Sequence, residues 1–97
     1  MITDDAALKA ACDAASSVPA IALDTEFVRT RTYYPQLGLI QMFDGETVVL
    51  IDPLTIGDWT PMRDLLVNKN VTKYLHAGSE DLEVFLNAFG VLPDPLI

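Results

Sequence analysis

The sequence predicts an α/β fold, a mixed sheet flanked by helices, and three observations carry that reading. Three apolar, β-favouring runs follow one another between residues 20 and 51. A helix and a further strand come next, and the chain then turns helical again. Apolar residues make up 51% of the 97 residues and charged residues 21%, a balance that fits a packed unit and excludes disorder.

The elements follow in order. Thr3 is expected to cap a first helix, with Asp4 and Asp5 in its first turn complementing the dipole. Leu8, Ala11, Cys12 and Ala15 recur at helical spacing, and Ser16-Ser17-Val18-Pro19 ends the run. Ala20 to Phe27 reads as a strand, with Ile21 and Leu23 on one face and Ala20 and Ala22 on the other. Two apolar faces predict a central strand covered on each side. Val28 to Gln36 reads as a loop. Leu37–Phe43 and Thr47–Ile51 are expected to form a hairpin around Asp44-Gly45.

Thr60 as cap and Pro61 at the first helical position start a second helix, which buries Met62, Leu65 and Leu66. After the Asn68-Lys69-Asn70 turn, Val71–His76 reads as another strand. Ala77-Gly78-Ser79 then leads into a helix striped by Leu82, Phe85, Leu86 and Phe89 and ended by Gly90. There are no repeats and no low-complexity segment.

Composition narrows the classes of function. No run approaches the roughly 18–20 apolar residues of a membrane helix, so no membrane partner is expected. The N-terminus lacks the basic flank and apolar block of a signal peptide. The single cysteine, Cys12, has no internal partner, and together these features point to a reducing cytoplasm. A net charge of −8 opposes nucleic-acid binding, unless metal ions held by acidic residues reverse the sign locally. The apolar end, Leu96-Ile97, leads us to expect the N-terminal part of a longer domain.

The chemistry concentrates at the end of the first strand. Asp24 and Glu26 alternate with Thr25 and therefore point the same way. Two like charges beside a buried strand repel and resist desolvation, and a divalent cation is the usual remedy. If Val71–His76 runs parallel to Ala20–Phe27, the helix after it starts at the same sheet edge, bringing Glu80, Asp81 and Glu83 near. Measured from the apolar stripe, Asp81 lies about 90° away, Glu83 about 110° and Glu80 about 170°. That favours Asp81 modestly over Glu83 and sets Glu80 aside. Three such acids would suit Mg²⁺ or Mn²⁺.

Blander readings stand beside these. An acidic pair at a strand end is often a solvated turn, and an acid in the first turn of a helix is usually a dipole partner. His76 is more often a satisfied strand-end residue than a ligand. Arg29, Arg31, Tyr33 and Tyr34 suit phosphate binding and base stacking as well as they suit an ordinary surface loop.

Asp24-Thr25-Glu26-Phe27, the Arg29-Thr30-Arg31-Thr32-Tyr33-Tyr34-Pro35 segment and Leu39-Ile40-Gln41 resemble the first exonuclease motif of the ribonuclease D family. His76-Ala77-Gly78-Ser79-Glu80-Asp81-Leu82 resembles its second. The resemblance covers nearly the whole chain. It implies a ribonuclease H-like fold and a 3′-to-5′ exoribonuclease of the DEDD class, trimming RNA 3′ ends and notably those of transfer RNA precursors.

It also implies roles. Asp24, Glu26 and Asp81 would be catalytic metal ligands for two divalent ions, Mg²⁺ or Mn²⁺. In that family one ion would help generate the attacking hydroxide, and the other would stabilise the departing 3′ oxygen. Phe27, Arg29, Tyr34 and His76 would lie near the terminal nucleotide. The family's third motif, a tyrosine followed four residues later by an aspartate, is absent, since Tyr33, Tyr34 and Tyr74 all lack that aspartate.

We therefore expect residues 1–97 to be the N-terminal part of an exonuclease domain, lacking its remainder and the family's helical RNA-binding domains. Alone, it is expected to be inactive and, through uncovered apolar surface, prone to self-association. The alternative is a non-catalytic binding or assembly module derived from the half-domain. An Asp-x-Asp phosphohydrolase fits poorly, because Glu26 and Phe27-Val28 stand where its second aspartate and glycine-threonine would be.

Overall fold

The computed structural model describes residues 1–29, 35–75, 89–94 and 96, without the side chains of residues 27–29 and 35–37. Its elements are α1 (Asp5–Ala15), β1 (Ala20–Arg29), β2 (Pro35–Phe43), β3 (Val48–Ile51), a 3₁₀ turn (Pro53–Thr55), α2 (Thr60–Leu66) and β4 (Thr72–Leu75). The strand order is β3-β2-β1-β4. The β1–β2 and β2–β3 pairs are antiparallel and the β1–β4 pair is parallel, so the sheet is mixed, as expected.

Both helices start one residue away from the expected cap. Asp4, not Thr3, caps α1: its extended backbone lets the carboxylate accept the Ala7 N–H at 2.7 Å. Asp5 reaches away instead and accepts the Gly57 N–H at 2.8 Å, tying α1 to the segment before α2. Thr60 is the first residue of α2 rather than its cap, and Trp59 takes the cap position. The Asp58 carboxylate accepts the Thr60 N–H at 3.0 Å. The Thr60 hydroxyl and N–H hold that carboxyl below its ordinary range.

The β2–β3 hairpin follows from its turn chemistry. Gly45 takes φ +102°, and the Asp44 carboxylate accepts the N–H groups of Glu46 and Thr47 at 2.9 and 2.8 Å. Those donors lower the Asp44 pKa, with Thr47 the larger influence.

The loop expected from Val28 to Gln36 is shorter at both ends. β1 continues to Arg29, pairing Val28 with Gln36 and Arg29 with Pro35. The ladder passes a register shift after Glu26, where Gly38 falls between the paired Leu37 and Leu39. A bulge lets pairing resume beyond the point where hydrophobic alternation ends.

One face of the sheet carries the core. Ile21 and Leu23 of β1, Ile40 and Met42 of β2 and Ile51 of β3 are buried against Leu8 and Cys12 of α1 and Met62 and Leu66 of α2. Burial raises the Cys12 thiol to about 12. Phe89 is helical and buried, meets Trp59 edge-to-face at 4.8 Å, and is followed by Gly90 at φ +74°. The rest of the last expected helix and its Ala77-Gly78-Ser79 lead-in lie outside the described residues, as does His76 of the strand expected over Val71–His76; Val71 precedes β4 and is buried.

The helix expected after β4 lies, all but its end, outside the described residues, and among those residues no element covers the other face. Ala22 is exposed there, as are its cross-strand neighbours Phe43 and Tyr74, and Val48 beyond Phe43. No helix of the described residues is long and apolar enough to cross a membrane.

Candidate active site

Strand alternation places Asp24 and Glu26 together. In β1 the buried residues are Ile21, Leu23 and Thr25, so Ala22, Asp24 and Glu26 line the open face. Thr25, 7% exposed, anchors the strand between the two acids. Asp24 is half-buried and Glu26 exposed. About 7 Å of strand separates their Cα atoms, close enough for both carboxylates to reach a shared ion. The register shift lies immediately after Glu26, and bulges increase local twist and re-aim side chains there.

The parallel pairing assumed from sequence is present. Ala20–Leu23 pair in register with Thr72–Leu75, so β4 ends at Leu75 beside Leu23, one residue short of Asp24. β4 therefore ends level with the acids, which stand within β1 rather than at its end as expected, because backbone pairing with β2 carries β1 on to Arg29. His76, Asp81 and Tyr34 lie outside the described residues, as do the side chains of Phe27 and Arg29, whose backbones belong to β1. Among the described residues no three histidine, cysteine or acidic side chains gather to hold a metal. Asp24 and Glu26 supply two hard oxygen donors on one face, which is the ligand chemistry Mg²⁺ and Mn²⁺ prefer.

Two neighbours escaped the sequence reading as site residues. Gln41 pairs with Asp24 across β1–β2, and Tyr74 pairs with Ala22 across β1–β4. With Asp24, Ala22 and Phe43 they line a concavity of about 430 Å³. Only the register, which sequence alone does not specify between separate strands, brings them together.

The 3′-5′ exonuclease family model matches residues 1–97. The chain belongs to that 3′-5′ exonuclease family. Within it, the chain is similar to ribonuclease D of Escherichia coli, at 69% identity over all 97 residues and 26% of the relative's length. The crystal structure of that enzyme, described as an exoribonuclease involved in structured RNA processing, superposes with a TM-score of 0.94 over the same shares.

Trypanosoma brucei RNase D in complex with RNA U12 matches at 25% identity and a TM-score of 0.81, covering 100% of this chain and 36% of that one. Brucella melitensis NrnC with bound Mg²⁺ matches at 30% identity and a TM-score of 0.70, over 84% and 42%. The chain spans about a quarter of the length of the curated relatives it matches first.

Proposed function

We propose that residues 1–97 form the N-terminal part of the exonuclease domain of a metal-dependent 3′-to-5′ exoribonuclease. The observation that carries this reading is the placement of Asp24 and Glu26 on one face of β1, level with the end of the parallel β4. Similarity to ribonuclease D supports RNA as the substrate, and transfer RNA precursors are the class we propose within it.

Asp24 and Glu26, with Asp81 as the third acid, would hold two divalent ions, Mg²⁺ or Mn²⁺. Such ions, when bound, supply the positive charge that activates a water and stabilises the leaving oxygen of a phosphodiester. The Mg²⁺ named for the Brucella relative supports that choice. The chain's own part is to fix ligand geometry, which a paired central strand does better than a loop. Phe27, Arg29, Tyr34 and His76 are the proposed contacts to the terminal nucleotide. A bound cation also answers the net charge of −8, since it gives the phosphate a positive target.

The 97 residues contain three of the four acids such a site requires, so alone they should turn over little RNA or none. Their exposed Phe43, Val48 and Tyr74 favour self-association of this length of chain. A compact monomer in sedimentation would contradict that. The lone buried Cys12 supports a reducing cytoplasm as the compartment.

The test uses the longest natural chain carrying these residues and a 5′-labelled single-stranded RNA. We expect products that shorten stepwise from the 3′ end with Mg²⁺ or Mn²⁺ and stop when EDTA is added. Internal cuts, or trimming that continues in EDTA, would refute the proposal.

A further inference from the structure

Lys73 is fully buried, although lysine is rarely so unless paired. It pairs with Ile21 across the parallel ladder and therefore faces the core, on the side of the sheet opposite the acids. Its Nζ donates to two backbone carbonyls, Asn68 at 2.6 Å and Asp94 at 2.9 Å. Those carbonyls come from different segments: the turn that feeds β4, and the stretch near the end of the chain. Each segment is tied down independently. The Thr72 N–H donates to the Pro19 carbonyl at 2.9 Å, and the Asp94 N–H to the Leu66 carbonyl at 2.8 Å. The Asp94 carboxylate meets Lys69 at 3.2 Å, and Leu96 forms a parallel bridge to Lys73 itself.

A register error in β4 would be costly for the site. Four residue pairs hold β4 to β1, and a slip of one residue turns every side chain to the opposite face. It would bring Thr72 or Tyr74 into the core, and it would move the end of β4 relative to Asp24. Apolar packing alone discriminates weakly over so short a ladder. A buried ammonium discriminates strongly, because only one register gives it acceptors and any other strands the charge.

We propose that Lys73 is a positioning residue that locks the register of β4 and so fixes the end of β4 level with the carboxylates. Burial lowers its pKa while Asp94 opposes that shift, consistent with an ammonium held by designated partners. Its catalytic consequence rests on the function proposed above; the register claim does not.

The test compares Lys73→Met, of similar length but without charge or donors, with Lys73→Arg, which keeps both. Hydrogen exchange of the Thr72 and Asp94 amides is followed beside that of Leu8 in α1, and metal-dependent trimming by the longest natural chain is titrated with Mn²⁺. Lys73→Met should expose the Thr72 and Asp94 amides by at least roughly ten-fold in exchange rate while leaving Leu8 protected. It should also raise the Mn²⁺ needed for half-maximal rate, and Lys73→Arg should restore both readouts.

Native protection at Thr72 and Asp94 in Lys73→Met would overturn the lock. So would equal loss of protection at Leu8, which means general destabilisation. If Lys73→Met does not fold, Lys73→Arg decides: protected amides support the lock and unprotected ones overturn it. Altered exchange in a protein that shows no trimming even as wild type would leave the lock standing and reject the function.

Discussion

Leu75, the last residue of β4, lies beside Leu23 of β1 in a parallel pair, one step before Asp24. That relationship turns the Asp24-x-Glu26 pattern into a place. It sets the end of β4 level with the middle of β1, where Asp24 and Glu26 stand.

The frame depends on a small core. Leu66 is fully buried in α2 against the sheet. Leu66→Ala should cost about 2–5 kcal/mol, the transfer term plus the cavity left behind. A domain of this size has little margin, so urea denaturation should show a much lower midpoint or no folded baseline.

The cap of α1 is a second test. Asp4→Ala removes the acceptor for the Ala7 N–H and should cost about 0.5–2 kcal/mol. Thr3→Ala should cost far less, because Thr3 is not the cap. Thermal melts of the two variants distinguish the observed cap from the one expected from sequence.

Cys12 makes stability sensitive to alkali. Its thiol is raised from 9.0 to about 12, chiefly by burial and then by Asp13. A raised folded pKa means the unfolded chain loses the proton first. Stability from the buried thiol is therefore complete below pH 9 and falls as pH rises toward 12. Denaturation midpoints measured across that window should drop more for the wild type than for Cys12→Ala. Thiol reagents near pH 8 should label Cys12 only as fast as the protein opens.

Much of this was written locally. The Asp44-Gly45 hairpin was legible because its donors and acceptors lie within three residues of one another. The stripe of Leu8, Cys12 and Ala15 was legible because a helix repeats its buried face. Caps were missed by one residue, since Asp4 and Thr3 are both competent and only backbone angles choose between them. Strand pairing beyond Phe27 was hidden because Val28–Gln36 and Arg29–Pro35 pair through backbone atoms, with no apolar alternation to announce it.

Lys73 was the least legible residue of all. A charged side chain in a strand reads as solvent-facing, and one of its acceptors lies 21 residues away. Of the site, Asp24 and Glu26 were readable from alternation, while Gln41 and Tyr74 needed the register to join them.

We propose Asp24 and Glu26 as paired metal ligands of a 3′-to-5′ exoribonuclease. The most direct test of that role is the rate of 3′-end trimming with Mn²⁺ for Asp24→Ala and Glu26→Gln in the longest natural chain. Glu26 is exposed, so Glu26→Gln should change stability by no more than about 0.5 kcal/mol. Each variant is predicted to fold and to lose more than roughly 100-fold in rate. Trimming at the wild-type rate by folded Asp24→Ala would show that Asp24 holds no catalytic metal.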